Sequence, residues 1–127
     1  MIKYFDWTEE IVENELDEVV ETLNNRGVIV FPTETVYGIG CNALEEDAVD
    51  KIYRTKQRPR NKPLSIMLSN KEDIEKYAYI QNDLERKIID KCLPGPLTII
   101  LKKKDNIGKG FTKDLDTIGV RIPENKI

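Results

Sequence analysis

The 127-residue sequence contains no histidine, and this absence excludes more chemistry than any single motif supplies. Without histidine the chain has no Ser-His-Asp triad, no Cys-His pair and no HExxH metal site. Any catalysis must therefore use positioning, cations, hydroxyl groups, backbone amides and a metal carried in by a phosphate ligand. Such means suit transfer to or from a nucleotide better than hydrolysis by a histidine base.

Cysteines and long apolar runs are also scarce. The two cysteines, Cys41 and Cys92, lack CxxC spacing, so we predict free buried thiols and no structural zinc site. No apolar run approaches the roughly 18 residues that cross a bilayer, and the N-terminus lacks the layout of a signal peptide. The length, with 39% hydrophobic and 34% charged residues, indicates one ordinary globular domain, which we expect to be cytoplasmic.

Helical and strand patterns alternate along the chain. Thr8 and Gly27 are placed to begin and end a first amphipathic helix. Apolar residues at helical spacing indicate further helices, and short apolar runs indicate buried strands. The predicted helices cover about residues 8–25, 45–56, 70–78 and 81–92, and the predicted strands cover residues 28–31, 64–68, 97–103 and 117–122. This alternation favours an α/β fold.

The stretch RTKQRPRNKP, residues 54–63 and hereafter the basic segment, has a cation at every second position. Its cations are Arg54, Lys56, Arg58, Arg60 and Lys62. The whole chain has a net charge of −3, so this positive charge is local and predicts a nearby anion. An extended backbone would put all the cations on one surface, where they could hold a triphosphate or an RNA backbone. An irregular backbone would let them fan out into water.

The stretch FPTETVYGIG, residues 31–40, follows a predicted strand and is rich in polar side chains. Hydroxyl groups and the Glu34 carboxylate would lie at the C-terminal end of that strand, where open α/β sheets bind ligands. The alternative is a turn begun by Pro32, in which the threonine hydroxyls satisfy the local backbone. The sequence pattern leaves both interpretations open.

Arg121 interrupts an apolar strand. It alternates with Ile118, Val120 and Ile122, so its side chain should point to the opposite face. It could lie on the solvent face of an edge strand. It could also form an arginine fork aimed at a carboxylate in a cleft.

Four motifs occur in one order along the chain: FPTETVYGIG, KQRPRNKPLSIML, LPGPLTIIL and TIGVRIP. Together they resemble the YrdC family of threonylcarbamoyl-AMP synthases, from about residue 9 to the last residue. The resemblance implies a twisted, open, mixed sheet with flanking helices and a large positively charged cavity. It also implies a nucleotidyltransferase that converts L-threonine, bicarbonate and ATP, with Mg²⁺, into threonylcarbamoyl-AMP and pyrophosphate. The product would serve the synthesis of t6A37 in tRNA.

The resemblance also implies roles for residues of the amino-acid site. Thr35 looks like a contact of the threonine substrate, and Arg121 looks like the partner of its carboxylate. Met67 falls where relatives can contact the amino acid. Thr33 and Tyr37 belong to the same motif and are expected to shape the pocket.

For the nucleotide, the resemblance implies that Arg58 and Lys62 bind ATP and stabilise charge on the phosphates. Lys56 is expected beside them as a phosphate or RNA contact, and Thr117 falls where an ATP contact is expected. The other two cations of the basic segment are expected to be solvated. No protein nucleophile and no protein metal ligand is assigned.

The sequence departs from the family pattern at its C-terminal end. The final residues RIPENKI lack the histidine that relatives usually carry there, and no Ser-x-Asn motif follows. We therefore expect residues 1–127 to form one YrdC-like domain that is incomplete at the C-terminal end and could be inactive alone. Exposed sheet edges should then favour self-association.

Two other functions remain open from the sequence. The chain could be a module that binds tRNA or double-stranded RNA through the basic segment without catalysis. It could also be the related carbamoyl-transfer domain of hydrogenase maturation proteins, although two isolated cysteines cannot build the zinc modules of those proteins. For a synthase, transfer proteins of the t6A pathway are the expected partners, and no membrane is involved.

Overall fold

The computed structural model describes residues 2–7, 10–107 and 115–125, and helices and strands alternate through these ranges. The helices are α1 (Glu13–Asn24), α2 (Glu46–Lys56), α3 (Ile74–Tyr77) and α4 (Asp83–Cys92), with a 3₁₀ turn at Lys71–Asp73. The strands are β1 (Val28–Phe31), β2 (Gly38–Cys41), β3 (Ser65–Met67), β4 (Ala78–Tyr79), β5 (Thr98–Lys103) and β6 (Thr117–Arg121). No helix in the described ranges is both long enough and apolar enough to cross a membrane.

Helix α1 begins later than predicted and buries less surface. It begins at Glu13 rather than near residue 8, and the preceding Val12 makes no capping hydrogen bond through its side chain. The predicted cap, Thr8, lies outside the described residues. No residue of α1 is fully buried, because its apolar stripe is only partly covered by β1.

The C-terminal end of α1 is where the sequence places it. The N–H of Gly27 donates to the Thr22 carbonyl at 2.8 Å, and the N–H of Arg26 donates to the Leu23 carbonyl at 3.2 Å. This pair of bonds is a Schellman motif, and Arg26 takes its left-handed position with φ 63°. A Cβ atom on Gly27 would lie 2.6 Å from the Thr22 carbonyl oxygen, so glycine is required by this close approach.

The strands form two sheets. Strands β1 and β2 make an antiparallel pair, and the other four strands have the order β3-β6-β5-β4. Strand β3 runs parallel to β6, whereas β5 is antiparallel to both β6 and β4, which confirms the predicted mixed sheet. Because β6 lies between β3 and β5, the alternative that Arg121 occupies an edge strand is wrong.

The hydrophobic core covers one face of the four-stranded sheet. Buried apolar side chains of the sheet pack with those of α2, α3, α4 and the adjoining loops; they are Val49, Tyr53, Ile66, Ile74, Ala78, Ile89, Leu93, Leu101, Ile107, Ile118, Val120 and Ile122. Strand β1, by contrast, was expected to be buried and is not. It is half-buried, with Val30 69% exposed, because the two-stranded sheet is covered on one face only.

Helix α2 runs into the basic segment, as predicted. Its buried residues, which include Ile52 and Tyr53, recur at helical spacing, and Lys56 is its last residue. Gln57 then takes a left-handed conformation with φ 51° and ends the helix. The segment is therefore helical first and irregular afterwards, so the extended alternative, with all its cations on one surface, is wrong.

Both cysteines are free, as predicted. Cys41 is half-buried in β2, and burial raises the pKa of its thiol. Cys92 is exposed, so the prediction of a buried thiol is wrong there, because this residue lies on the outer side of the last turn of α4.

Candidate active site

The loop of residues 32–37 connects β1 to β2, and Thr33 gives it its local shape. The Thr33 hydroxyl accepts the N–H groups of Thr35 and Val36 at 3.3 and 3.2 Å and donates to the Val36 carbonyl at 2.5 Å. Thr33 thus satisfies the local backbone, which is the alternative that the sequence left open. Tyr37 is 76% exposed at the end of the loop.

Arg121 joins this loop to the central strand β6. Its Nη2 group donates to the Thr35 hydroxyl at 2.9 Å and to the Glu34 carboxylate at 2.5 Å. The Arg121 and Glu34 side chains are 23% and 18% exposed, so the pair is partly shielded from water. The arginine predicted to aim at a carboxylate does so here, with a carboxylate of its own chain.

Glu34 also contacts the segment that follows β6. Its second carboxylate oxygen accepts the N–H of Glu124 at 2.8 Å. The Arg121 hydrogen bond, together with the backbone N–H groups of Glu34 and Glu124, holds the pKa of the Glu34 carboxyl below its ordinary value. Glu34 is therefore an anion at neutral pH.

One donor of Arg121 is unused. Its Nε atom is buried and has no hydrogen-bond partner among the described residues. A buried donor without a partner costs about 1–3 kcal/mol, and more when the group is charged. Both N–H groups of Nη2 already face Glu34 and Thr35, so Nε is the donor that fits one oxygen of a ligand carboxylate.

The strand register places Met67 beside Arg121. Met67 of β3 and Thr98 of β5 are the partners of Arg121 in the neighbouring strands, so all three side chains share the face opposite the core. Met67 is 40% exposed on this face. The amino-acid contacts expected from the sequence, Thr35, Met67 and Arg121, thus meet at the C-terminal ends of β3 and β6.

Two cations of the basic segment share one carboxylate of the chain. Asp50 pairs with Arg54 at 3.2 Å and also with Arg60. The guanidinium of Arg60 lies over the Tyr53 ring, 5.4 Å from its centre. The expectation that both arginines are merely solvated is wrong, because α2 presents Asp50 to both of them.

Arg58 shapes the chain ahead of β3. Its Nη2 donates to the Pro63 carbonyl at 2.9 Å, and its Nε lies 3.5 Å from the Lys62 carbonyl. The same Lys62 carbonyl accepts the buried Tyr53 hydroxyl at 2.5 Å. Within the described ranges, the ion pairs of the segment belong to Arg54 and Arg60, so the charges of Lys56, Arg58 and Lys62 remain for an external anion.

Two of the expected nucleotide contacts lie at the other end of β3 and β6. Lys62 precedes β3, and Thr117 begins β6; because these strands are parallel, both lie at the N-terminal end. Thr117 and Arg121 are four residues apart on one face, which is about 13 Å along a strand. Between them lies Gly119, which has no side chain to block the path.

An open depression of about 510 Å³ lies beside β4 and β5, lined by Tyr79, Ile80, Gln81, Lys102, Lys103 and Asp105. The described part of the chain contains no group of three or more acidic, histidine or cysteine side chains that could hold a metal ion.

Glu34 and Tyr53 are the residues that sequence reasoning left without a site role. The carboxylate of Glu34 stood out in the motif, but its partners lie 87 and 90 residues away. The signal in the sequence that could have indicated a role for Glu34 was its position between Thr33 and Thr35. Tyr53 showed only the spacing of a core residue, and its hydroxyl bond to Lys62 has no signature in the sequence.

Known proteins share this arrangement of motifs and fold. A sequence model of the Sua5/YciO/YrdC family, described as "Telomere recombination", matches residues 21–127. A Methanocaldococcus jannaschii protein, provisionally named as a threonylcarbamoyl-AMP synthase, is 50% identical over the whole of this chain. The chain spans 60% of that relative.

Solved structures agree with this match. P. abyssi Sua5 complexed with L-threonine superposes with a TM-score of 0.88 and 36% identity, over 93% of this chain and 35% of that chain. Full-length HypF, in a phosphate- and nucleotide-bound form, gives a TM-score of 0.74 and 30% identity, over 86% of this chain and 17% of that chain. The chain belongs to the Sua5/YciO/YrdC family.

Proposed function

We propose that this chain carries the substrate-binding face of an L-threonylcarbamoyladenylate synthase. The observation that carries the proposal is the unsatisfied, buried Nε of Arg121 beside the Thr35 hydroxyl. An amino acid can offer its carboxylate to the Nε donor of Arg121, and a hydroxyl group on its side chain can hydrogen-bond with the Thr35 hydroxyl. The names of the M. jannaschii relative and of the L-threonine complex of P. abyssi Sua5 support the same assignment.

At the amino-acid end, Arg121 binds and orients the threonine carboxylate. Thr35 offers a hydroxyl that can both donate and accept, and Met67 provides an apolar contact on the same face. Threonine held in this way directs its amine along the strands toward the nucleotide. The amine forms a bond to the carbon of bicarbonate, and water leaves, which gives a carbamate; this carbamate is the nucleophile of the next step.

At the nucleotide end, ATP enters as its Mg²⁺ complex, which is a substrate. The carbamate oxygen forms a bond to the α-phosphorus, and the bond from that phosphorus to the oxygen bridging to the β-phosphate breaks. Lys56 and Lys62 offset the charge of the departing pyrophosphate, and Thr117 contacts the nucleotide. Arg58 supports this end by holding the backbone before β3 and by its positive charge. No protein nucleophile is needed, which agrees with a sequence free of histidine.

The test is pyrophosphate release that requires ATP, L-threonine and bicarbonate together. It should be run on this chain and on an extended protein, in which this chain replaces the matched part of the M. jannaschii relative. We expect release from the extended protein and none when L-threonine or bicarbonate is omitted. Silence of the extended protein with all three substrates present contradicts the proposal.

A second candidate function is RNA binding through the unpaired ammonium groups of Lys56 and Lys62. If these lysines contact phosphates of duplex RNA, affinity falls steeply with salt, and alanine at either lysine lowers the slope of log K against log salt by about one. If they serve only ATP, the same substitutions weaken ATP binding and leave RNA retention unchanged. Filter binding over a salt series with a mant-ATP titration separates the two.

A further inference from the structure

We propose that Glu34 is a positioning residue for amino-acid recognition, an inference that rests on the proposed function. Its carboxylate bridges Arg121 and the backbone of Glu124, and so keeps the 32–37 loop closed on the end of β6. It also sets the direction in which Arg121 presents its free donor. Glu34 thus acts through Arg121 and is not itself a contact of the reacting atoms.

The first argument is topological. The hydrogen bonds of Thr33 lie within the loop and fix its turn, but they do not attach the loop to the four-stranded sheet. The bonds of Glu34 and Thr35 to Arg121, with that of Glu34 to Glu124, cross between segments that are 86 to 90 residues apart. The Glu34 carboxylate accepts two of these three hydrogen bonds, so it is the main side chain that links the loop to β6 and to the segment after it.

The second argument concerns how the two carboxylate oxygens are used. A carboxylate beside arginine often takes two donors of the guanidinium at once. Here one oxygen of Glu34 binds Nη2, and the other is held by the Glu124 N–H at 2.8 Å. Because that oxygen is engaged elsewhere, the Nε of Arg121 is left without a partner. The bridge therefore orients the guanidinium and leaves one donor for a substrate carboxylate.

The third argument is the charge state. The contacts with Arg121 and Glu124 lower the pKa of the Glu34 carboxyl, so the bridge persists through the neutral range. A glutamine side chain cannot replace it. Its single carbonyl oxygen can accept from Arg121 or from Glu124, and its amide group would face the other donor.

The experiment compares the Glu34→Gln and Glu34→Asp variants with the parent, in this chain and in the extended protein. Glu124→Gln is the matched control, because it removes a neighbouring negative charge and keeps the backbone N–H that Glu34 uses. Calorimetry with L-threonine and titration with mant-ATP give the two affinities. The ¹⁵N–¹H signal of the Arg121 Nε group reports the free donor directly, and circular dichroism checks folding.

We expect both Glu34 variants to bind L-threonine at least 10-fold more weakly and to keep the parent's ATP affinity within twofold. The Arg121 Nε signal should shift with L-threonine in the parent and in Glu124→Gln, but not in the Glu34 variants at the same concentration. The control should match the parent in both affinities.

Three results would overturn the inference. If Glu34→Gln and Glu34→Asp bind L-threonine within twofold of the parent, Glu34 does not position the site, while the synthase proposal stands. If the folded variants lose threonine and ATP affinity equally, the role is one of general structure. If the parent binds no L-threonine in either form, the proposed function fails and the inference fails with it.

Discussion

Arg121 belongs to one of the four sequence motifs, lies in the central strand β6 and is the proposed contact of the substrate carboxylate. Its Nη2 group serves Glu34 and Thr35 at once, which only a planar guanidinium with several fixed donors can do while keeping Nε free. Lysine keeps the charge but not this geometry. A substitution at position 121 that keeps only the positive charge should therefore weaken binding of the amino acid.

The Arg121→Lys substitution should lower L-threonine affinity about 10- to 100-fold, since a hydrogen bond to a charged group contributes about 1.5–3 kcal/mol. ATP affinity should stay within twofold, because the expected nucleotide contacts lie at the other end of β6. Calorimetry with each ligand measures both affinities. Equal threonine affinity in parent and variant would remove Arg121 from the site.

The ionisation of Glu34 predicts how the stability of the protein depends on pH. Its folded-state pKa lies below the unfolded value, so its contribution is present above the ordinary glutamate pKa and is lost as pH falls through the folded pKa. The difference in melting temperature between the parent and Glu34→Gln should be constant from about pH 8 to 5. It should then narrow below about pH 4.3, the ordinary glutamate value. A difference that stays unchanged down to pH 3 would contradict the bridge.

Tyr53 should influence the nucleotide end alone. The Tyr53→Phe change removes the hydroxyl bond to the Lys62 carbonyl and keeps the buried ring, so unfolding free energy should fall by about 1 kcal/mol. ATP affinity should fall several-fold because Lys62 is less firmly placed, and L-threonine affinity should not change. Denaturant unfolding and the two ligand titrations check this, and unchanged ATP affinity would argue against a phosphate contact by Lys62.

At the scale of elements, the pairing of β1 with β2 depends on a ring packed over glycines. The Phe31 ring packs closely against Gly40. A Cβ atom added to Gly40 would lie only 2.8 Å from one carbon of that ring. Gly40→Ala should therefore cost about 1–3 kcal/mol of unfolding free energy, as overpacking does. Val30→Ala, at an exposed position of the same sheet, is the control and should stay within about 0.5 kcal/mol. Equal stability of Gly40→Ala and the parent would show that the ring moves freely.

Periodicity predicted the elements whose faces differ in polarity. Helix α2, strand β5 and strand β6 each bury one face more than the other, and all three were found within one or two residues of the predicted bounds. Strand β2 was missed because GIGC contains two glycines and no alternation. The start of α1 was misplaced because the apolar spacing continues through Ile11, which lies before the helix.

The sequence predicted which residue types form the candidate site but not which residues contact one another there. The motifs singled out Thr35 and Arg121 as substrate contacts, and the structure does place them in contact. Nothing local in the sequence indicates that Glu34 and Glu124 join them, because these partners are brought together only by the sheet topology. The roles of Arg54 and Arg60 were misjudged for the same reason, since Asp50 reaches both only after α2 has formed.

At the scale of the whole molecule, large apolar side chains remain uncovered. Ile100 is 68% exposed on the open face of the four-stranded sheet, and β3 and β4 are its edges within the described residues. Apolar surface and unpaired edges favour association between chains. We expect the mass from light scattering to exceed that of the 14.7 kDa monomer and to rise with protein concentration. A monomer mass over a wide concentration range would contradict this.

The most direct measurement of the central claim is pyrophosphate release by the extended protein, with and without Arg121→Lys. The account predicts release that requires ATP, L-threonine and bicarbonate, with the KM for L-threonine raised at least 10-fold by the substitution and the KM for ATP changed less than twofold. Release that needs no threonine, or that Arg121→Lys leaves unaltered, would contradict an amino-acid site at the end of β6.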